Sequence, residues 1–353
     1  MINLNAAGKI VISLKKTKLN LTEQRILPHK NIGGVILFAR NFENKQQITK
    51  LVTIIKKLNK NILIMVDHEG GKVWRFNNKE FPNPGAMHTL GDLYNINSLD
   101  AVDNAYNFGY HIARDLLSCG IDLNLAPILD LGTKNSDGSY ISTIIGNLGR
   151  AFHQDPVVVA RLAASFIKGQ QDAGMKSVGK HFPGHGSTES DTHLTTTIDL
   201  RSKQEIFSKD IEPFRLLITG DPSIDIKPNT LQAVMPAHII YPAIDENPAG
   251  YSKMWLQNIL RKQLNFNGII ISDCLSMKAI QDFLYQNQNR LEIKSIMTNL
   301  NITKKQAVNL IATTKALQAG CDLVIFNGLH GTDLLQLLNN LDLVNISSES
   351  TVS

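Results

Sequence analysis

Cysteine is scarce in this chain. Three residues, Cys119, Cys274 and Cys321, stand far apart among 353. They share no paired spacing, so neither a disulfide framework nor a cysteine zinc site is expected, and a reducing compartment is compatible. Long apolar runs are lacking as well, and none approaches the roughly 20 residues a membrane-spanning helix needs. Residues 1–14 carry no basic segment followed by an apolar core and a small-residue cleavage site, so the cytoplasm is the expected location and no membrane contact is foreseen. No Pro/Ser-rich linker, low-complexity block or internal repeat divides the chain. Neither sign of charge dominates: 36 basic residues face 31 acidic ones, for a net +5. The basic residues are scattered, apart from small groups such as Lys15-Lys16 and Lys56-Lys57. That excludes the one-faced basic footprint of a nucleic-acid partner.

What the chain has is rhythm. With 43% hydrophobic residues, it carries eight short strand-like runs, at residues 9–14, 33–38, 61–66, 121–126, 175–179, 231–236, 269–272 and 322–326. Helical patterns alternate with them. Thr22 is placed to cap a short helix, residues 99–117 and 203–217 read as helices, and Asp155-Pro156 opens another that Gly174 closes. Runs without polar alternation are typical of strands covered on both faces. The expectation is an α/β chain folded as a single (β/α)8 TIM barrel over residues 1–345. An open doubly wound sheet is the rival. Residues 220–230 read as a polar insertion, 286–305 as an irregular surface excursion, and the serine-rich 346–353 as a disordered tail.

Reactive residues stand just after the apolar runs: Asp67, Asp130, Lys180, His181, His238, Asp273 and Asn327. In a barrel these ends share one rim, so distant residues converge. The densest stretch is residues 180–193, KHFPGHGSTESDTH, with three histidines, a lysine and two carboxylates. Pro183, Gly184 and Gly186 argue against helix or strand there, and the segment reads as a mobile polar loop.

Several chemistries fit these residues. Asp273 can be a nucleophile, a base or a metal ligand, or merely a helix cap. Asp191, two residues before His193, can fix an imidazole tautomer and raise its basicity, or belong to a polar surface loop. His181 and His185 with Asp191 or His193 imitate a metal site, but ligands at that spacing normally share a helix face, which Pro183 and Gly184 exclude. Lys180, Arg75 and Arg150 suit a ligand rich in oxygens, or ion pairs with Asp67, Glu69 or Asp130. Phe38 and Trp74 fit a sugar platform or plain packing.

The segments KHFPGHGSTESDTHL (180–194), VDHEGGKVWR (66–75), LFARN (37–41), MPAH (235–238) and ISDCLSM (271–277) resemble, in order, the family-3 glycoside hydrolases. More narrowly, they are similar to the single-domain bacterial β-N-acetylglucosaminidases of peptidoglycan recycling. The resemblance implies Asp273 as nucleophile and His193 as general acid/base assisted by Asp191. It implies Asp67, Arg75, Arg150, Lys180 and His181 as sugar-binding residues, with no metal and no cofactor. The implied partner is a small-molecule carbohydrate, a muropeptide fragment such as a GlcNAc-anhydroMurNAc peptide; the sequence leaves the oligomeric state open, with a monomer as the expectation. A glycoside phosphorylase, a non-catalytic sugar-binding protein and a metal-dependent hydrolase remain alternatives. His68 and Lys72 depart from the family's usual Gln and Arg.

Overall fold

The eight apolar runs pair side by side, every pair parallel, and close on themselves. In the computed structural model, which describes residues 8–192, 194–285 and 287–349, the strands are β1 (Ile10–Ser13), β2 (Ile32–Leu37), β3 (Leu63–Val66), β4 (Leu123–Asn124), β5 (Lys176–Phe182), β6 (Ala233–Pro236), β7 (Ile269–Cys274) and β8 (Leu323–Phe326). Each bonds to its neighbour in sequence order, and β8 returns to β1, with Ile10 opposite Val324 and Ile12 opposite Phe326. The expected barrel is therefore the observed one, and the open sheet is excluded.

The strand composition follows from this closure. Successive side chains point to opposite faces. Val11, Ile36, Met65, Leu123, Val178, Ala233, Ile271 and Leu323 fill the barrel interior. Their neighbours Ile10, Val35, Ile64, Val234, Ile270 and Val324 pack outward against the helices. Both faces are dry, which is why runs such as 33–38 (GGVILF) and 323–326 (LVIF) show no polar alternation.

The outer layer holds α1 (Leu21–Ile26), α2 (Lys45–Leu58), α3 (His88–Ile96), α4 (Ser98–Leu117), α5 (Pro156–Asp172), α6 (Lys203–Ser208), α7 (Glu212–Thr219), α8 (Lys278–Tyr285), α9 (Asn287–Leu300), α10 (Lys304–Ala319) and α11 (Gly331–Glu349), with a π-type helix at Met254–Gln263 before β7. Among the described residues no helix is long and apolar enough to cross a membrane.

Five expectations need correction. Asn20, not Thr22, caps α1, because its side chain accepts from the Glu23 N–H while Glu23 reaches back to the Asn20 N–H. Helix α3 occupies the stretch before residue 99 that Pro82, Pro84 and Gly85 lead one to read as a long loop. The segment 203–217 is two helices, since Asp210 turns inward to Arg201 (2.8 Å) and Pro213 starts a new first turn. The excursion 286–305 is largely helical: Ile293, Ile296, Met297 and Leu300 form one apolar stripe against the core, which so polar a segment hides from a composition reading. Finally, α11 continues to Glu349, so the tail expected over 346–353 begins as helix, and residues 350–353 lie outside the described residues.

Candidate active site

At the carboxyl-terminal rim the strand ends build a chain of charges. Lys180, on β5, is buried, and its Nζ donates to Asp67 Oδ1 and Glu69 Oε1, each at 2.7 Å. Glu69 in turn accepts both Nε (2.9 Å) and Nη2 (2.8 Å) of Arg150. Arg75 Nη2 stands 3.7 Å from Asp67 Oδ2. An ion taken out of water needs such partners or it neutralises. Burial alone would raise the Glu69 carboxyl, but the charges of Arg150 and Lys180 hold it well below the usual carboxylate range. Burial likewise opposes the Lys180 charge, and Asp67 and Glu69 more than offset it.

A second buried cluster ties β5 to the loop after it. His181 Nδ1 donates to Asp130 Oδ2 (2.7 Å), and the main-chain N–H groups of His181 and His185 donate to Asp130 Oδ1 at 3.1 and 2.7 Å. Because a carboxylate only accepts, Nδ1 of His181 carries the proton and Nε2 is left for a ligand. Burial would raise the Asp130 carboxyl, but His181 and the hydrogen bonds keep it below its ordinary value. Both ring nitrogens of His185 lie 3.2 Å from threonine hydroxyls, those of Thr188 and Thr192. His185 is thus committed to protein partners at both nitrogens, and His181 at Nδ1.

The expected mobile loop is anchored over its first half. Strand β5 runs through Phe182, His185 through Thr192 contains buried Gly186, Thr188 and Thr192, and Tyr241 donates its hydroxyl to the Gly184 carbonyl at 2.6 Å. Gly186 serves close approach rather than freedom, since a Cβ there would sit 1.8 Å from the Leu131 carbonyl oxygen. Gly186→Ala is expected to destabilise the fold by at least about 2 kcal/mol and to lower activity with it, because the backbone on both sides must shift. A melting curve that superimposes on wild type would show that the contact yields freely.

Burial also makes the cluster acid-sensitive. His185 is pushed down from 6.5 to about 4 by burial, despite the nearby Asp130 charge. Between those values the unfolded chain binds the proton and the folded chain does not, so stability falls as pH drops from about 6.5 to 4. The full window corresponds to on the order of 3 kcal/mol for this imidazole. His68, lowered to about 3 by burial, acts in the same direction. Asp210, raised to about 6 by burial, opposes them. Denaturant titrations at pH 6.5 and 4.5 check the sum: His185→Gln should lose less stability on acidification than wild type.

Between these clusters lies a cavity of about 590 Å³. Asp67, Glu69, Arg75, Arg150, Lys180, His181, Asp191 and Asp273 all line it. Asp273 leaves β7 and its Oδ1 accepts the Cys274 N–H at 2.6 Å. Of the expected site, His193 alone lies outside the described residues. Asn327 lines the cavity too, accepting from Arg40 Nη2 at 2.8 Å, whereas Asp130 and His238 sit behind the wall. Phe38 is at the cavity beneath the Arg40 and Arg75 guanidiniums, 4.4 and 5.6 Å from its ring centre. Trp74 instead stacks on His68 at 3.4 Å, as packing. His68 is buried and Lys72 exposed, and neither is a described lining residue, so the two departures from the family pattern stay off the cavity wall. Sequence reasoning undervalued Glu69. It reads as one possible ion-pair partner and proves to be the hub between Lys180 and Arg150. Its signal was its place, two residues beyond Asp67 and directly before Gly70-Gly71.

Residues 5–350 match the Glycosyl hydrolase family 3 N terminal domain. A beta-hexosaminidase of Hydrogenovibrio crunogenus is 41% identical over 319 residues, 90% of this chain and 78% of that protein. A beta-hexosaminidase of Haemophilus influenzae is 39% identical over 338 residues, 95% of this chain and 84% of its own. Among solved structures, native NagZ from Neisseria gonorrhoeae shares 35% identity at a TM-score of 0.77, covering 95% of this chain and 84% of that one. NagZ from the same organism in complex with N-trifluoroacetyl-D-glucosamine gives 34% identity and a TM-score of 0.77, over 96% and 85% of the two chains. A closed barrel with this rim, matched along almost its whole length, belongs to glycosyl hydrolase family 3.

Proposed function

We propose that this glycoside hydrolase, a β-N-acetylhexosaminidase, removes terminal non-reducing β-linked N-acetylglucosamine with retention of configuration. Asp273 attacks the anomeric carbon as His193, supported by Asp191, gives its proton to the departing oxygen. The same imidazole then takes a proton from water, and that water displaces Asp273 from the sugar. Each proton lent in the first half is recovered in the second, as a retaining double displacement requires.

The observation that carries this reading is that Asp273 and Asp191 line one cavity together with Asp67, Arg75, Lys180 and His181. At about 590 Å³ the cavity is within the roughly 300–1,000 Å³ range of small-ligand pockets. Its donors and acceptors are fixed by pairing before a ligand enters, so sugar hydroxyls meet an ordered set of charges. An imidazole donor near neutrality avoids a second carboxylate against the nucleophile. A muropeptide fragment such as a GlcNAc-anhydroMurNAc peptide, met by a monomer in the cytoplasm, is the substrate in this reading.

The test is to trap the enzyme with a fluorinated N-acetylglucosamine donor and to locate the label by peptide mapping. Label on the Asp273 peptide is expected, and label on any other residue would overturn the assignment. Running turnover with and without inorganic phosphate separates hydrolysis from phosphorolysis, since only the latter yields a sugar phosphate.

A further inference from the structure

The strand that carries Asp273 is irregular where it matters. On β7, Ile271 pairs with Leu323 but Cys274 pairs with Ile325, so Ser272 and Asp273 bulge out of the ladder. The Ile325 N–H that the bulge leaves over donates to Ser272 Oγ at 3.1 Å, and that hydroxyl donates to the Asp273 carbonyl at 2.8 Å. Bulges of this kind re-aim a side chain and need outside support.

The support comes from the turn just beyond β6. His238 is 2% exposed, and its Nε2 lies 3.2 Å from the Cys274 carbonyl oxygen. A carbonyl only accepts, so Nε2 carries the hydrogen. His238 Nδ1 is buried without a partner among the described residues, so it is the bare nitrogen of a neutral ring. Burial favours that neutral form over the opposing pull of the Asp273 charge. The Cys274 carbonyl also accepts the Met277 N–H at 3.1 Å, while the Cys274 N–H donates to Asp273 Oδ1 at 2.6 Å. Both main-chain polar groups of residue 274 are thus engaged, one by Asp273 itself and one by the imidazole behind it.

We propose that His238 is a positioning residue for Asp273, gripping the Cys274 carbonyl so that the bulged turn holds the carboxylate at the cavity. The proposal rests on the reading of Asp273 as nucleophile. It uses only the Nε2–H, which separates two amide replacements. The amide nitrogen of Gln reaches the place of Nε2, and that of Asn reaches only the place of Nδ1.

The experiment compares His238→Asn, His238→Gln and Asp273→Ala with wild type on an aryl N-acetylglucosaminide. Rates are normalised to sites labelled at completion by the fluorinated donor, or to folded protein for Asp273→Ala, and N-acetylglucosamine affinity is measured by calorimetry. His238→Asn is expected to lower kcat by about 10- to 100-fold with KM and product affinity changed less than about twofold, and His238→Gln to recover to within about threefold of wild type. Wild-type kcat in the Asn variant, or a Gln variant as slow as Asn, would overturn the proposal. So would product affinity that falls in step with kcat, since a merely structural role moves both. Asp273→Ala separates the failures: turnover in that variant refutes the nucleophile, whereas an inactive Asp273→Ala beside a fully active His238→Asn refutes the positioning role alone.

Discussion

Asp273→Ala is expected to lower kcat/KM on an aryl N-acetylglucosaminide by on the order of 10⁴-fold or more, about 5.4 kcal/mol of transition-state stabilisation. The fold should survive. Asp273 is only partly buried, at the cavity rather than in the hydrophobic core, so its truncation opens no core void. Without the carboxylate no glycosyl-enzyme forms, so the trapping label should vanish along with turnover. Sugar affinity should hold, because Lys180, Asp67 and His181 keep their partners. Steady-state rates, mass spectrometry of the trapped enzyme and calorimetric titration with N-acetylglucosamine check the three statements separately. A variant that still turns over at even a hundredth of the wild-type rate would remove Asp273 from the covalent step.

Glu69→Ala is expected to have the largest effect on stability, about 3–5 kcal/mol, because it strips a buried pair of one partner rather than both. Arg150 would lose both its Nε and Nη2 acceptors and keep, among the described residues, the Ile144 carbonyl at 3.0 Å. Lys180 would keep Asp67, at 2.7 Å, among the described residues. Little solvent is open to either side chain, with relative exposures of 13% for Arg150 and 2% for Lys180. Both would then crowd onto Asp67, pulling it off its present position at the cavity, so KM should rise as well. Denaturant melts and Michaelis curves read the two effects. A loss under about 1 kcal/mol would mean that water enters and replaces the missing carboxylate.

The barrel was legible because its strands are dry on both faces. Runs such as residues 33–38 and 322–326 carry no helical period and no alternation, and closure explains both. Helix α9 was not legible, since its stripe of Ile293, Ile296, Met297 and Leu300 is a minority in a polar segment and becomes visible only against the core it covers. The rim residues could be named from their places after the strands, yet their pairing could not. Glu69 and Arg150 are 81 residues apart, and no local pattern announces such a bond. The loop after Phe182 misled for a similar reason. Gly184 and Gly186 look like freedom in isolation, and only the Leu131 carbonyl opposite Gly186 reveals a tight fit.

The Glu69 clasp also bears on the order in which the molecule assembles. It joins segments 81 residues apart, and Lys180 reaches Asp67 across 113. Closures of that span form slowly relative to helices, because chain entropy opposes them until the intervening units are in place. During refolding from denaturant, helical circular dichroism should therefore recover before sugar affinity does, and the competent pocket should be among the last features to mature.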